Sequence, residues 1–206
     1  MQIRYFFLCF QLWIACGLSL QAQNEKLVNT KMSYGGITIG IPPSFQLMDD
    51  EDYQRKYVAY LSPIAKYTSS DATADLIVNV SVNRALEPID DDLKVMKKDA
   101  PIENYEIMAS IYKTTILNSH NQVEFLQEGI QTINKRRYIV FEFVGSVKDL
   151  NSQGEYYGGS SLSQYYYLQY ALKGGEVFIF NFTCKAADMN RWQEVAKQIM
   201  NQIKID

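Results

Sequence analysis

The chain has a single histidine, three cysteines, five prolines and no excess of positive charge among its 206 residues. One histidine, His120, rules out a zinc site built on several imidazoles, and Cys184 adds at most one sulfur ligand. A Ser-His-Asp triad would have to use that same histidine. It lies in the polar run Asn118-Ser119-His120-Asn121, which reads as an exposed turn. With 20 basic against 23 acidic residues there is no basic surplus to suit nucleic acid. Past Ala22 no apolar run reaches the roughly 18 residues a membrane helix needs. No phosphate-cradling motif is present, because Gly158-Gly159-Ser160-Ser161 lacks both the lysine and the spacing.

What is there starts at the N-terminus. Arg4 gives a positive start, Tyr5 to Leu20 is almost wholly apolar, and Leu20-Gln21-Ala22 ends on a small residue before Gln23-Asn24-Glu25-Lys26. That is the layout of a secretory signal peptide with cleavage between Ala22 and Gln23. Cleavage there takes 22 of the 206 residues and leaves 184, with a net charge of about −4 because Arg4 is lost. Ala15-Cys16 supplies the alternative, a lipoprotein signal anchored through Cys16, and an uncleaved anchor is the third reading. Cys9 and Cys16 both belong to the leader, so the mature chain keeps only Cys184, which its strand neighbours mark as a small buried residue.

Residues 23–33 read as a flexible lead-in, followed by one domain over 34–206. Ile37, Ile39 and Ile41 alternate with Gly36, Thr38 and Gly40, a half-buried strand that Pro42-Pro43 stops. Lys56 to Ser62 reads as a strand, with a helix begun near Asp50 as the alternative. Leu76, Val78, Val80 and Val82 mark one face of a strand over 76–84. Asp90-Asp91-Asp92 suits the first turn of a helix, and Tyr105, Met108, Ala109 and Tyr112 give a second helix beyond Pro101. Strands are then expected over 123–133 and 137–146, joined at Asn134-Lys135. A glycine-bearing loop over 148–161 comes next. Strands over 165–172 and 177–184 follow, joined at Lys173-Gly174-Gly175. Tyr166, Leu168, Tyr170 and Leu172 form the greasier side of the first of these, and Phe178, Phe180, Phe182 and Cys184 align on the second. The last helix is capped by Asp188. Its stripe of Met189, Trp192, Val195, Ala196, Ile199, Met200 and Ile203 needs a cover, which the aromatic strand face supplies.

The ordered features Ile39-Gly40-Ile41-Pro42-Pro43-Ser44-Phe45, Tyr60-Leu61-Ser62-Pro63, Asn79-Val80-Ser81-Val82, Phe180-Asn181-Phe182-Thr183 and Ile199 to Ile205 resemble the PsbP-like fold. That fold is shared by the extrinsic photosystem protein PsbP, the Ran-binding Mog protein and bacterial DcrB-type domains. The resemblance covers about residues 34–205 and departs at Lys135, where the pattern has glycine. It implies an α+β chain, an α/β/α sandwich around a mostly antiparallel sheet. It also implies binding or assembly roles in most members, with no shared catalytic residue to carry over; no cofactor is expected. Fold alone does not assign a function.

Asp49-Asp50-Glu51-Asp52 and Asp90-Asp91-Asp92 lack the spacing of a calcium loop and read as helix starts. Lys135-Arg136-Arg137 reads as a solvated hairpin corner that also suits anionic lipid or a partner's acids. Tyrosine is in excess, at 15 residues, and the pair Tyr156 and Tyr157 in the glycine-bearing loop is the candidate partner contact. The expectation is a periplasmic or secreted, non-catalytic binding or assembly domain with an envelope protein as partner. The alternatives are a small-molecule or lipid carrier with a pocket between sheet and helices, and an enzyme acting through paired carboxylates.

Overall fold

The computed structural model describes residues 25–57, 62–83, 100–150 and 156–206, the side chains at 147–161 excepted. The elements are β1 (Val28–Lys31), β2 (Ile37–Ile41), β3 (Phe45–Leu47), α1 (Asp50–Lys56), β4 (Ala65–Ser69) and β5 (Ala74–Val82). They continue with α2 (Ile102–Ser119), β6 (Gln122–Ile133), β7 (Arg136–Leu150), β8 (Tyr156–Lys173), β9 (Glu176–Lys185), α3 (Met189–Asn201) and β10 (Lys204–Ile205). Seven strands make an antiparallel sheet in the order β3-β4-β5-β9-β8-β7-β6, and β1, β2 and β10 make a small second sheet. The leader and the helix expected at Asp90 lie outside the described residues.

Period two assigns the sheet's two faces. Phe178, Phe180, Phe182 and Cys184 of β9, Leu76 and Val78 of β5 and Tyr138 and Val140 of β7 share one core with Trp192, Val195, Ala196, Ile199 and Met200 of α3. Ile37, Ile39 and Ile41 of the small sheet complete it. On the opposite face Ile139, Phe141 and Phe143 of β7 and Leu168, Tyr170 and Leu172 of β8 are covered by Tyr105, Met108 and Ile116 of α2. Met48, Tyr53 and Ile77 form a satellite cluster under α1. The arrangement is an α+β fold with helices on both faces, as the sequence implied.

Two contacts fix the helices. The Tyr105 hydroxyl accepts from the Leu172 N–H at 3.3 Å and donates to the Arg137 carbonyl at 3.1 Å, joining α2 to β7 and β8. Trp192 Nε1 donates to Thr73 Oγ1 at 3.1 Å, tying α3 to the β4–β5 turn. Asp71 anchors that turn, accepting from the Thr73 hydroxyl at 2.8 Å and the Ser69 hydroxyl at 2.7 Å.

Several expectations are corrected. Residues 28–31 of the presumed lead-in pair with β2, Val28 opposite Ile41. Lys56 closes a helix begun at Asp50, the alternative reading, and residues 58–61 of the expected strand lie outside the described residues. Asp49 accepts from the Asp52 N–H at 2.7 Å, and acids in the first turn with Arg55 and Lys56 in the last suit the helix dipole. Val82, at the end of the β5 ladder, is 66% exposed among the described residues. The weak alternation of β6 comes from a bulge between Phe125 and Gln127, which shifts the faces by one residue. Both sides of β8 are buried, Tyr165, Tyr167 and Ala171 as well as Leu168, Tyr170 and Leu172, because it is a central strand. Asp188 stands before α3 without a side-chain capping bond.

Candidate functional site

The expected loop over 148–161 is largely strand. Pairing of β7 with β8 continues through Val147↔Leu162 and Lys148↔Ser161 to Leu150↔Tyr156. The neighbouring strands stop earlier: β6 ends its pairing at Gln122↔Ser146, and β9 ends at Gln164↔Lys185. Beyond Ser146 and Ser163 the two strands therefore bond only to each other, a ribbon with both outer edges unpaired among the described residues. A two-stranded ribbon is marginal alone in water, and unpaired edges are templates for a further strand. The backbone of Tyr156 and Tyr157 belongs to this ribbon; their side chains lie outside the described residues, as do Cys16, Ala22 and Gln23. Leu162, where side-chain description resumes, is 55% exposed.

At the other end of β7 the basic run Lys135-Arg136-Arg137 is divided between the two faces. Arg137 shares the parity of Ile139 and donates to the Ala100 carbonyl at 3.3 Å on the α2 side. Lys135 and Arg136 instead line a surface groove of about 330 Å³ with Asn134, Tyr138, Lys204, Ile205 and Asp206. Asn134 fixes this corner by donating from Nδ2 to the carbonyls of Asn201, at 2.9 Å, and Ile203, at 3.1 Å. Lys204, contributed by β10, is the member that sequence reasoning missed; only tertiary pairing with Thr38 brings it here.

The titratable groups elsewhere are committed to structure. His120 is half-buried, not a free surface ring: Nδ1 lies 2.9 Å from the Ile116 carbonyl, and the ring sits edge-on to Phe143 and Tyr166. A Cβ on Gly145 would stand 2.5 Å from that ring, so glycine is what leaves it room. Cys184 is free and buried, and burial, aided by the negative Asp188, pushes its thiol up to about 12. Glu142 is buried among Tyr165 Oη, at 3.1 Å, Gln193 and Lys197 Nζ, at 3.7 Å. Burial and then the Glu142 charge push the Tyr165 hydroxyl above its ordinary value. This pins α3 to β7 and β8 and carries no nucleophile. Among the described residues no three His, Cys, Asp or Glu groups gather as metal ligands, and no helix is long and apolar enough to cross a membrane.

No family model matches the chain, and no curated protein matches it. Solved structures do. The solution structure of cyanobacterial PsbP from Synechocystis superposes with a TM-score of 0.52 at 11% identity, covering 89% of this chain and 94% of that one. The Ran-binding protein Mog1p of Saccharomyces cerevisiae gives 0.47 at 15% identity, over 87% of this chain and 96% of that one. LpqN of Mycobacterium tuberculosis, described as involved in cell envelope biogenesis, gives 0.46 at 14%, over 86% and 89%. At these identities the likeness shows the fold, and the fold is PsbP-like.

Proposed function

We propose that this chain of PsbP-like fold is an exported, non-catalytic domain of the bacterial envelope that binds a protein partner through the β7–β8 ribbon. Tyr156 and Tyr157 are the contact residues of this proposal. The observation that carries it is the ribbon itself, whose ladder outruns both neighbouring strands and leaves two edges open among the described residues. Adding a strand or a flat aromatic contact to such an edge is a common way to dock a partner. The leader at residues 1–22 supports delivery outside the cytoplasm. His120 and Cys184 are both already engaged, one against Tyr166 and the other inside the core, so neither stands free as a base or nucleophile.

Pull-down from envelope extract tests the contact. The intact protein should recover a partner that a Tyr156→Ala/Tyr157→Ala variant loses; equal recovery refutes the surface. The mass of the N-terminus tests delivery. A chain beginning at Gln23 supports free secretion, and a lipidated Cys16 supports anchoring. An intact leader on cytosolic protein overturns export.

A further inference from the structure

We infer that the groove at the β6–β7 corner is an oxyanion site that takes a phosphate group. This stands apart from the ribbon, which lies at the opposite end of β7.

The first observation is charge. Lys135, Arg136 and Lys204 face the groove against one carboxylate residue, Asp206, in a chain with a net charge of −3. Among the described residues none of these three cations makes an ion pair. Lys56, Lys66, Lys113, Arg191 and Lys197 all do. The three cations outnumber the side-chain and chain-end carboxyl groups of Asp206, so the groove is positive and suits an oxyanion such as a phosphate group.

The second observation is an unmet donor. Arg136 Nη1 is buried and has no hydrogen-bond partner among the described residues. A buried guanidinium N–H without an acceptor is costly and rare in a native fold. Arg136 lines the groove, so a turn of the guanidinium brings that N–H to an anion seated there, and its rigid fork suits phosphate oxygens.

The third observation is the turn. Asn134 and Lys135 hold φ of 50° and 67°, close to the 57° and 77° of Gly174 and Gly175 in the β8–β9 turn. The chain uses two glycines where this conformation serves only to reverse direction. At the groove it keeps a long cation in the left-handed region, where any residue with a Cβ is disfavoured. Strain kept at one position is a pointer to use of its side chain. The corner is also held in place. Asn134 bonds to two carbonyls at the end of α3, and the Tyr138 hydroxyl donates to the Ile203 carbonyl at 3.4 Å.

Titration with inorganic phosphate at constant ionic strength, followed by amide shifts in the full mature chain, tests the site. Saturating shifts at residues 134–138 and 204–206 are expected, stronger than those with acetate or chloride. Arg136→Gln and Lys204→Gln should each weaken phosphate about tenfold or more, the loss of one charge-assisted hydrogen bond. Lys135→Gly removes a cation while suiting the turn, so it should weaken binding in a chain that remains folded. Vesicles containing phosphatidic acid, compared with phosphatidylcholine, separate the sources of the group. Binding to the former that Arg136→Gln abolishes assigns a lipid headgroup, and binding to soluble phosphate alone assigns a free phosphate compound. Non-saturating shifts, equal response to acetate, or affinity unchanged in all three variants would overturn the proposal.

Discussion

Truncating Trp192 to alanine tests whether α3 is the roof of the sheet. The indole is 2% exposed and meets Phe45 edge-on at 5.6 Å and Phe182 at 6.4 Å between ring centroids. Arg191 lies over its other side, 4.5 Å from the ring centre. Removing a buried aromatic side chain costs about 3–5 kcal/mol, from lost transfer energy and from the cavity left behind. The hydrogen bond to Thr73 adds little, because the Thr73 hydroxyl still donates to Asp71 and is not left orphaned. About 4 kcal/mol is therefore expected, which for a chain of this size lowers the thermal midpoint by roughly 8–16 °C. Trp192→Phe keeps a ring and loses the donor, and should cost about 1–2 kcal/mol. Urea unfolding followed by circular dichroism measures both. An alanine variant within about 1 kcal/mol of the parent would refute the packing argument.

Lys135→Gly should raise the thermal midpoint by about 1–2 °C, since relief of left-handed strain outweighs the entropy that glycine adds to the unfolded chain; a fall would contradict the strain. Cys184 should resist iodoacetamide at pH 8 in the folded protein and react fully in urea, because its thiol is pushed up to about 12. Rapid labelling of the native chain would place the thiol outside the core. Burial alone would raise the Asp71 carboxyl, but hydrogen bonds from Ser69, Thr73 and Arg191 outweigh it and hold the group below the usual carboxylate range. Its contribution is then present above the ordinary carboxylate value and lost as pH falls. Denaturation midpoints of the parent and Asp71→Asn should accordingly differ at pH 7 and converge toward pH 2; a constant gap would contradict the assignment.

Local chemistry was readable wherever one signal acted alone. Gly174-Gly175 announced a reversed turn, and Phe178, Phe180 and Phe182 gave a period-two face that found its cover in the α3 stripe. The reading failed where signals competed. At Lys56 the strand-suited Tyr57 follows directly on a segment, Asp50 to Lys56, whose end charges suit a helix, and Asp49 caps that helix. Gly154, Gly158 and Gly159 suggest a loop, yet Gly158 and Gly159 stand in β8, whose backbone pairing does not depend on side chains, and Gly154 lies outside the described residues. The corner groove needed two facts no local window holds. Period two sends Arg136 and Arg137 to opposite faces, and Lys204 arrives from a strand about 70 residues further on.

A photo-crosslinking amino acid placed at Tyr157, in cells that make the chain natively, tests the binding role most directly. One dominant adduct in the envelope fraction is expected, absent when the same probe replaces Leu47 on the far edge strand. No adduct at position 157, or the same adduct from position 47, would contradict a partner held by the ribbon.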